Sequence, residues 1–283
     1  MPGTLFVVAT PIGNLEDMSM RAVRTLREVD VIAAEDTRRT SKLLAHYEIQ
    51  KPLVSLHEHN ETREALRLVS KLEAGYNVAL VSDAGTPAIA DPGYHFVAQA
   101  RSAGIAVVPI PGANAAIAAL SAAGLPADSF LFLGFPPSAG AARDRWFDRA
   151  AAEPGTIVLY ESPHRIRRTL EELRDYLGER TILVGREVTK VNEELVVWDK
   201  SMPVREQGEF VVVVGPAVSI VAIDIEPSEV ASFVGQITEK LGLDDPQALA
   251  LASTHFGVSL PKATKLLKKG RILLKRAKDN QEQ

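Results

Sequence analysis

The chain has 283 residues, no cysteine, 46% hydrophobic residues and a formal net charge of −4, with an isoelectric point near 5.9. The length suggests two domains and a small third one, and the absent cysteines exclude disulfides, thiolate nucleophiles and cysteine-ligated zinc. The acidic balance argues against a general polyanion binder, and no segment reaches the roughly 18 apolar residues of a membrane span. The absence of cysteine fits a reducing compartment, so we expect a cytoplasmic protein.

Strand and helix patterns alternate through the first 123 residues. The start, MPGTLFVVATPIGN, is interpreted as a strand and not as a signal peptide. Strands are predicted at 4–10, 31–36, 52–56, 77–82 and 105–110, and helices at 19–29, 39–47, 61–74, 93–103 and 114–123. This alternation favours a parallel α/β sheet. The first domain is predicted to cover residues 1–123, because Gly124 and Pro126 end its last helix.

The pattern changes after residue 124. Strands are predicted at 131–135, 156–160, 181–188, 194–199 and 208–215, with helices between the first two and at 164–177. The last three strands have no long helix among them, which favours a mixed sheet with antiparallel hairpins in a second α/β domain, 124–218. Residues 225–283 are predicted to be helical, and Gly257 between two of the helices is typical of a helix-turn-helix unit.

Three sharp loops are predicted at one edge of the first sheet. They are TPIGN (10–14), SDAGTPAIADPG (82–93) and PGANA (111–115), after the first, fourth and fifth strands. Open parallel sheets bind ligands beyond the carboxyl ends of their strands. Gly85 and Gly112 would let a ligand approach the backbone, and Asp83 could accept hydrogen bonds from it. No loop matches G-x-x-x-x-G-K-[ST] or G-x-G-x-x-G, so ATP and NAD are poor candidates.

Seven segments in order carry a resemblance to a known family. They are ATPIGNLEDMSMRA, AAEDTRRTSKLL, LHEHNE, VSDAGTPAIADPG, PIPGANA, YESPHRIRRTLEEL and EVTKVNEE. Together they resemble the tetrapyrrole-methylase-like methyltransferases, and within them a branch that methylates the ribose 2′-oxygen of a cytidine in 16S ribosomal RNA. The resemblance covers about residues 4–215, and the final segment is similar to the helix-turn-helix region of that branch.

The resemblance implies a bilobal enzyme that holds S-adenosylmethionine between its lobes. It implies a homodimer in the cytoplasm, with 16S ribosomal RNA or the small ribosomal subunit as its partner. The usual small Gly-Ile-Ser stretch of the fourth segment is Ala88-Ile89-Ala90 here, a departure that we expect the loop to tolerate. The cofactor-binding positions that the resemblance implies are Pro11, Asp83, Ala84, Gly85, Thr86, Pro87, Pro111 and Gly112.

Methyl transfer to a ribose hydroxyl needs in-line positioning and a proton acceptor. Glu35, Asp36 and Lys190 are the candidate catalytic residues near the expected cleft. Each has a structural alternative. Glu35 and Asp36 could be an acidic pair at a helix N-terminus, and Lys190 could form a salt bridge with Glu187.

Basic residues that could contact RNA lie in one long run near the C-terminus and in shorter groups near two predicted helices. The run 261–276, PKATKLLKKGRILLKR, has seven basic residues and no acid. Such a run is usually a solvated helix face, but on an RNA enzyme it could contact phosphates. The candidate RNA-binding residues are Arg38, Arg39, Arg165, Lys265, Lys268 and Lys269.

Two other functions remain open on the sequence. A tetrapyrrole methylase of the same fold would have a wide, apolar, aromatic-lined cleft and no basic C-terminal segment. A non-enzymatic RNA-binding factor with vestigial loops would not bind S-adenosylmethionine. His57 and His59 form an H-x-H pair without a third ligand in view, so no metal is predicted.

Overall fold

The computed structural model describes residues 1–217, 226–256 and 260–279. The chain divides into two compact units, Met1–Ala217 and Val218–Gln283. Both sheets belong to the first unit, so the predicted boundary at residues 123 and 124 falls inside it and stays a prediction.

The first sheet is parallel throughout, with the strand order β3-β2-β4-β1-β5. This confirms the parallel α/β sheet that the alternating pattern predicted. Its strands are β1 Thr4–Val8, β2 Val31–Ala34, β3 Leu53–Ser55, β4 Val78–Val81 and β5 Ala106–Ile110. The helices between and after them are α1 Met20–Glu28, α2 Thr37–His46, α3 Glu61–Glu73, α4 Tyr94–Ser102 and α5 Ala115–Ala122.

The strand order places a topological switch point between β1 and β4. The chain leaves β1 towards β2 on one side of the sheet and leaves β4 towards β5 on the other side. A crevice opens beyond the carboxyl ends of two such strands, and open α/β sheets bind ligands there. The sheet therefore positions loops 10–14 and 82–93 on the two sides of one crevice.

The second sheet is mixed, as predicted, with the order β6-β7-β10-β8-β9. Only β6 and β7 are parallel, and the other pairs are antiparallel. Its strands are β6 Phe130–Phe132, β7 Thr156–Glu161, β8 Ile182–Arg186, β9 Glu194–Trp198 and β10 Phe210–Val214, with α6 Gly140–Ala152 and α7 Ile166–Leu177 between them. The carboxyl end of β7 carries Tyr160 and Glu161 towards the first sheet's loops.

The second unit consists of α8 Pro227–Leu241, α9 Asp245–His255 and α10 Leu260–Asp279 in its described part. Val234 and Ala252 are buried in its core, and a Cβ on Gly270 would lie 1.8 Å from the Pro227 carbonyl, so α8 and α10 touch through backbone there. Gly257, the predicted turn residue, lies outside the described residues. No helix in the described ranges is both long and apolar enough to cross a membrane.

The loop after β4 contains backbone strain. Ala88 and Ala90 have φ angles of 63° and 62°, in the left-handed region that glycine adopts more easily. The resemblance places glycine at the first of these positions. The loop accepts alanine there at an energetic cost of about 1–2 kcal/mol per residue.

Replacing Ala88 with glycine should therefore stabilise the protein. We expect the free energy of unfolding to rise by about 1 kcal/mol, because relief of strain exceeds the added flexibility of the unfolded chain. Ala103→Gly is the matched control: Ala103 has a φ of −83°, so its replacement should cost about 0.5–1 kcal/mol. Denaturant unfolding measures both, and equal losses in the two variants would show that Ala88 is not strained.

Candidate active site

Direct hydrogen bonds join the three predicted loops. Thr10 and Gly85 form an isolated antiparallel pair, in which each backbone N–H donates to the other's carbonyl, over 2.9 and 3.0 Å. The Thr86 hydroxyl donates to the carbonyl of Ala113 over 3.1 Å. The loops after β1, β4 and β5 therefore meet at one edge of the sheet.

A cleft of about 440 Å³ lies between these loops and the second sheet. The first sheet's side supplies Glu35, Arg39 and residues of the loops after β4 and β5. The other wall comes from the second sheet and its connections. The residues of that wall are Phe135, Tyr160, Glu161, Ser162, Pro163, Val188, Glu209, Phe210 and Val211.

The charge of the cleft is predominantly negative. Five carboxylates line it against one guanidinium, that of Arg39. The carboxylates belong to Glu35, Asp83, Asp91, Glu161 and Glu209. Such a lining attracts a cationic ligand and repels a polyanion.

Three of the five carboxylates already have cationic partners. Asp83 lies 3.3 Å from an Arg39 nitrogen, Glu161 lies 2.8 Å from Arg165, and Glu209 lies 2.9 Å from the Lys190 amine. Glu35 and Asp91 form no ion pair with any residue in the described part of the chain. These two carboxylates are therefore the ones available to a cationic ligand or to a proton.

The surroundings of Glu35 and Asp91 favour their protonated forms. Burial raises the pKa of Glu35, and the neighbouring Asp83 charge adds to that, although the Asp83 N–H donates to Glu35 and opposes it. Burial also raises the pKa of Asp91, with the Glu35 charge as the next cause, to about 6. Two carboxyl groups that repel each other in one cleft ionise one after the other. A carboxyl that titrates near neutral pH suits proton transfer.

The three candidate catalytic residues have different positions. Glu35 lines the cleft. Asp36 is the N-cap of α2, where its Oδ1 accepts from the N–H of Arg38 over 2.8 Å, and its own N–H donates to Asp83 over 2.9 Å. Asp36 is not among the residues that line the cleft, and its contacts join the start of α2 to Asp83.

Lys190 lies behind the cleft wall in a network with two carboxylates. Its Nζ donates to Glu187 and Glu209, over 2.9 Å in each case. Burial lowers the pKa of Lys190, but these two carboxylates outweigh burial and the net shift is upward. In this network the Lys190 amine acts as a hydrogen-bond donor to both carboxylates.

The predicted cofactor positions divide into two groups. The consecutive residues Asp83, Ala84, Gly85 and Thr86 line the cleft. The four others lie outside this lining: Pro11 faces a neighbouring groove, Pro87 is buried under its loop, and Pro111 and Gly112 are exposed. From the third loop, the residues that line the cleft are Asn114 and Ala115 instead.

The two predicted loop glycines lie at close contacts between neighbouring parts of the chain. Gly85 has a φ of 83°, and a Cβ on it would lie 3.2 Å from a methyl group of Ile12. A Cβ on Gly112 would lie 3.0 Å from the Cβ of Ala9. Both missing side chains face other parts of the protein, so these glycines let the loops approach each other.

The candidate RNA-binding residues also separate. Arg38 and Arg39 are exposed on α2, and Lys265, Lys268 and Lys269 are exposed on α10. The guanidinium of Arg165 contacts the Pro136 carbonyl, the hydroxyl of Ser162 and the buried carboxylate of Glu161. These contacts favour a structural role for Arg165 over an RNA contact.

Several residues of the cleft were not predicted from the sequence. Asp91 belongs to the same Gly/Pro-rich loop as Asp83, and its position eight residues later in that loop was the available signal. Tyr160, whose hydroxyl accepts from the N–H of Ala116 over 3.2 Å, connects the second sheet to α5. Phe135 and Phe210 add aromatic surface. Nothing in a single sequence pairs these residues with the first three loops.

The described residues contain no group of three or more side chains that could hold a metal ion. His57 and His59 contact each other edge to face, with ring centroids 6.0 Å apart. Nothing in the described part of the chain adds a further ligand to this pair.

Comparison with known sequences identifies related proteins. Residues 4–201 match the family described as Tetrapyrrole (Corrin/Porphyrin) Methylases. A protein of Pseudomonas aeruginosa is 51% identical over 221 residues, which are 75% of this chain and 78% of that protein. One of Haemophilus influenzae is 47% identical over 267 residues, 91% and 93% of the two chains. Both relatives are named Ribosomal RNA small subunit methyltransferase I.

Comparison with solved structures agrees on the fold. A uroporphyrin-III C-methyltransferase from Thermus thermophilus, solved with S-adenosylhomocysteine, superimposes with a TM-score of 0.52 at 20% identity, over 77% of this chain and all of that one. A diphthine synthase superimposes with a TM-score of 0.57 at 16% identity, over 75% and 90% of the two chains. At these identities the likeness establishes the fold alone.

The raised pKa of Asp91 predicts a pH-dependent effect of Asp91→Asn on stability. The folded-state pKa of about 6 exceeds the ordinary value of 3.8, so the stability that Asp91 contributes is full below pH 3.8 and is lost as the pH rises through 6. Asparagine has no such loss, so the variant should gain stability relative to the wild type between pH 4 and pH 7.

Thermal melting at a series of pH values measures this gain. Asp148→Asn, at an exposed position on α6, controls for the removal of a charge as such. A difference between Asp91→Asn and the wild type that stays constant with pH would contradict the assignment of the raised pKa to Asp91.

Proposed function

Because the chain belongs to the tetrapyrrole (corrin/porphyrin) methylase family, and is therefore a methyltransferase, we propose that it methylates ribosomal RNA with S-adenosylmethionine as donor. The proposed target is the ribose 2′-oxygen of a cytidine in the 16S RNA of the small ribosomal subunit. The proposal includes a homodimer that acts in the cytoplasm during ribosome biogenesis. The ribosomal part rests on the relatives, which are 47–51% identical and carry that name.

The observation that carries the choice of donor is the pair of carboxylates without ion-pair partners. S-adenosylmethionine is a sulfonium cation, and a cation in the cleft would favour the ionised forms of Glu35 and Asp91, which have no other cationic partner in the described chain. The cleft volume of about 440 Å³ falls in the range of small-molecule sites. The loop Asp83–Thr86 would hold the donor from the side of the first sheet, and Phe135 and Tyr160 would hold it from the other wall.

The donor supplies an electrophilic methyl group on a good leaving group, and the protein supplies position and a proton acceptor. In the transfer, the bond from ribose oxygen to methyl carbon forms as the sulfur–carbon bond breaks, and the hydroxyl proton must leave. Glu35 and Asp91 are the carboxylates that line the cleft without an ion-pair partner in the described chain. We therefore assign proton acceptance to this pair and positioning to Asp36 and Lys190, since Asp36 fixes Asp83 and Lys190 is protonated.

The charge of the cleft also limits how RNA can bind. A row of phosphates does not enter a cavity lined by five carboxylates, so only the target nucleotide would reach inside. The backbone stays on the surface, where cations are required. Lys265, Lys268 and Lys269 are exposed on α10 and form no ion pair with any described residue, so they are suited to that contact.

The proposed function is tested by nucleoside analysis after incubation with S-adenosylmethionine and each of three substrates: small ribosomal subunits, naked 16S RNA and a tetrapyrrole. The proposal requires 2′-O-methylcytidine in at least one of the RNA samples. Methyl transfer to the tetrapyrrole alone would establish the other function that the sequence left open. If calorimetry detects no heat of binding for S-adenosylmethionine, the loops are vestigial. If light scattering gives the mass of a monomer, the proposed homodimer is wrong.

The affinity for S-adenosylmethionine should increase with pH between about 5 and 7. A cationic ligand favours ionised Asp91, whose pKa of about 6 then falls on binding. We expect Asp91→Asn to bind roughly tenfold more weakly at pH 7 and to lose most of the pH dependence. S-adenosylhomocysteine, which lacks the sulfonium charge, is the control ligand and should respond less to both changes. Calorimetry across the pH range measures all four affinities, and parallel pH curves for the two ligands would exclude Asp91 as the partner of the sulfonium.

The triple variant Lys265→Gln, Lys268→Gln, Lys269→Gln should weaken RNA binding and flatten its salt dependence. Each lost phosphate contact removes about 0.7–0.9 from the slope of log K against log salt. Affinity for S-adenosylmethionine should stay unchanged, because the cleft lies in the other compact unit. Filter binding at several salt concentrations measures the slope. An unchanged slope would show that this face of α10 is only solvated.

A further inference from the structure

A second groove begins where the cleft ends. It has a volume of about 400 Å³ and follows the exposed side of α2. Ile12, Arg39, Asp83, Ala84 and Glu209 line both cavities, so the groove and the cleft are adjacent and share these residues as their common border. The neighbours of a nucleotide bound in the cleft would therefore lie close to α2.

Three side chains on α2 face this groove in a row. Arg39, Lys42 and His46 line it, and their spacing of three and four residues places them on one face of the helix. The row is about 10 Å long at 1.5 Å per residue, which is the rise of about three stacked nucleotides. All three side chains are exposed hydrogen-bond donors.

The side chain in the middle of this row, Lys42, is available to bind a phosphate. Lys42 forms no ion pair with any residue that the structure describes. Arg39 reaches Asp83 over 3.3 Å, but its side chain is 67% exposed, so it can turn towards a stronger anion. The acidic residues of the groove, Asp83 and Glu209, lie only at its shared end and are paired with Arg39 and Lys190.

Much of the remaining lining of the groove is apolar, although Thr40 and Ser82 also contribute to it. Pro11, Ile12, Leu15 and Leu43 line it beside the three donors. An extended phosphodiester strand offers the matching chemistry, with anionic phosphates on one side and ribose or base faces on the other. A compact anion would use the donors and leave the apolar residues without a contact.

We propose that this groove along α2 binds the phosphodiester backbone of the single-stranded RNA segment next to the target nucleotide, with Lys42 and His46 as phosphate contacts in addition to Arg39. The inference rests on the proposed function, because it takes the nucleotide in the cleft and its neighbours in the groove from one RNA strand. In this proposal α2 contacts the RNA next to the target nucleotide, a role separate from that of the exposed lysines of α10.

The test uses the single variant Lys42→Gln and a double variant that combines Lys42→Gln with His46→Gln. The matched control is a second double variant, which combines Arg24→Gln with Arg101→Gln. The control removes exposed cations from α1 and α4 of the same unit, away from both cavities. The probe is a short single-stranded oligoribonucleotide, and its binding is measured by fluorescence anisotropy between about 50 and 200 mM salt. Thermal melting and calorimetry with S-adenosylmethionine check the fold and the cleft of each variant.

We expect Lys42→Gln to lower the slope of log K against log salt by about 0.7, the value for one contact with a single strand. The double variant should lose about tenfold in affinity at the lower salt concentration, with S-adenosylmethionine binding unchanged. RNA binding equal to that of the control would overturn the inference, as would a wild-type protein that binds the donor but not the RNA. A loss seen only with assembled subunits would assign the groove to a ribosomal protein and overturn it too.

Failure of the proposed function would have a different signature. In that case the wild type neither binds S-adenosylmethionine nor methylates RNA. The anisotropy measurement alone would then decide whether the groove binds RNA, because it needs no methyl transfer.

Discussion

The candidate site depends on the backbone pairing of Thr10 with Gly85. This pair joins the loops that follow the two central strands, β1 and β4, at the point where the connections of the sheet reverse. The strands fix where each loop begins, and the two hydrogen bonds fix the distance between the loops. Gly85 can take part because its φ of 83° costs glycine little. The pair therefore sets the shape of the crevice floor before any side chain is considered.

The same constraint determines which carboxylates are available. Asp83, two residues before Gly85, accepts the N–H of Asp36 and pairs with Arg39, while its own N–H points to Glu35. Asp83 thus ties α2 to the loop and uses its oxygens inside the protein. Glu35 and Asp91 line the same cleft without a cationic partner in the described chain. All three carboxylates line one cleft, and the ion pair with Arg39 and the hydrogen bond from Asp36 distinguish Asp83 from the other two.

Features of the fold that depend on neighbouring residues in the sequence could be predicted, and features that depend on contacts between distant residues could not. Alternating strand and helix patterns are local, so both sheets and their parallel or mixed character were predictable. The three loops were predictable as one edge because a parallel sheet aligns its carboxyl ends. Asp91 and Glu35 are 56 residues apart in the printed sequence, and their coupling exists only through space. The wall formed by Tyr160 and Phe210 depends on how two sheets pack, and no local pattern specifies that. Pro111 and Gly112 show the converse: they belong to a recognisable loop motif, yet only the later residues Asn114 and Ala115 of that loop line the cleft.

In the first unit, negative charge and exposed cationic or donor side chains lie in different places, which suits two different ligands. The cleft is anionic, which suits a sulfonium, and the row on α2 supplies exposed donors, which suit phosphates. Under the proposed function, transfer of the methyl group converts the sulfonium to a neutral thioether, so the attraction of Glu35 and Asp91 for the cofactor decreases when the reaction is complete. The proposed RNA contacts on α2 would carry no such change, because the phosphates keep their charge. The arrangement therefore links the loss of cofactor affinity to chemistry, while RNA release depends on salt and on the contacts along the groove.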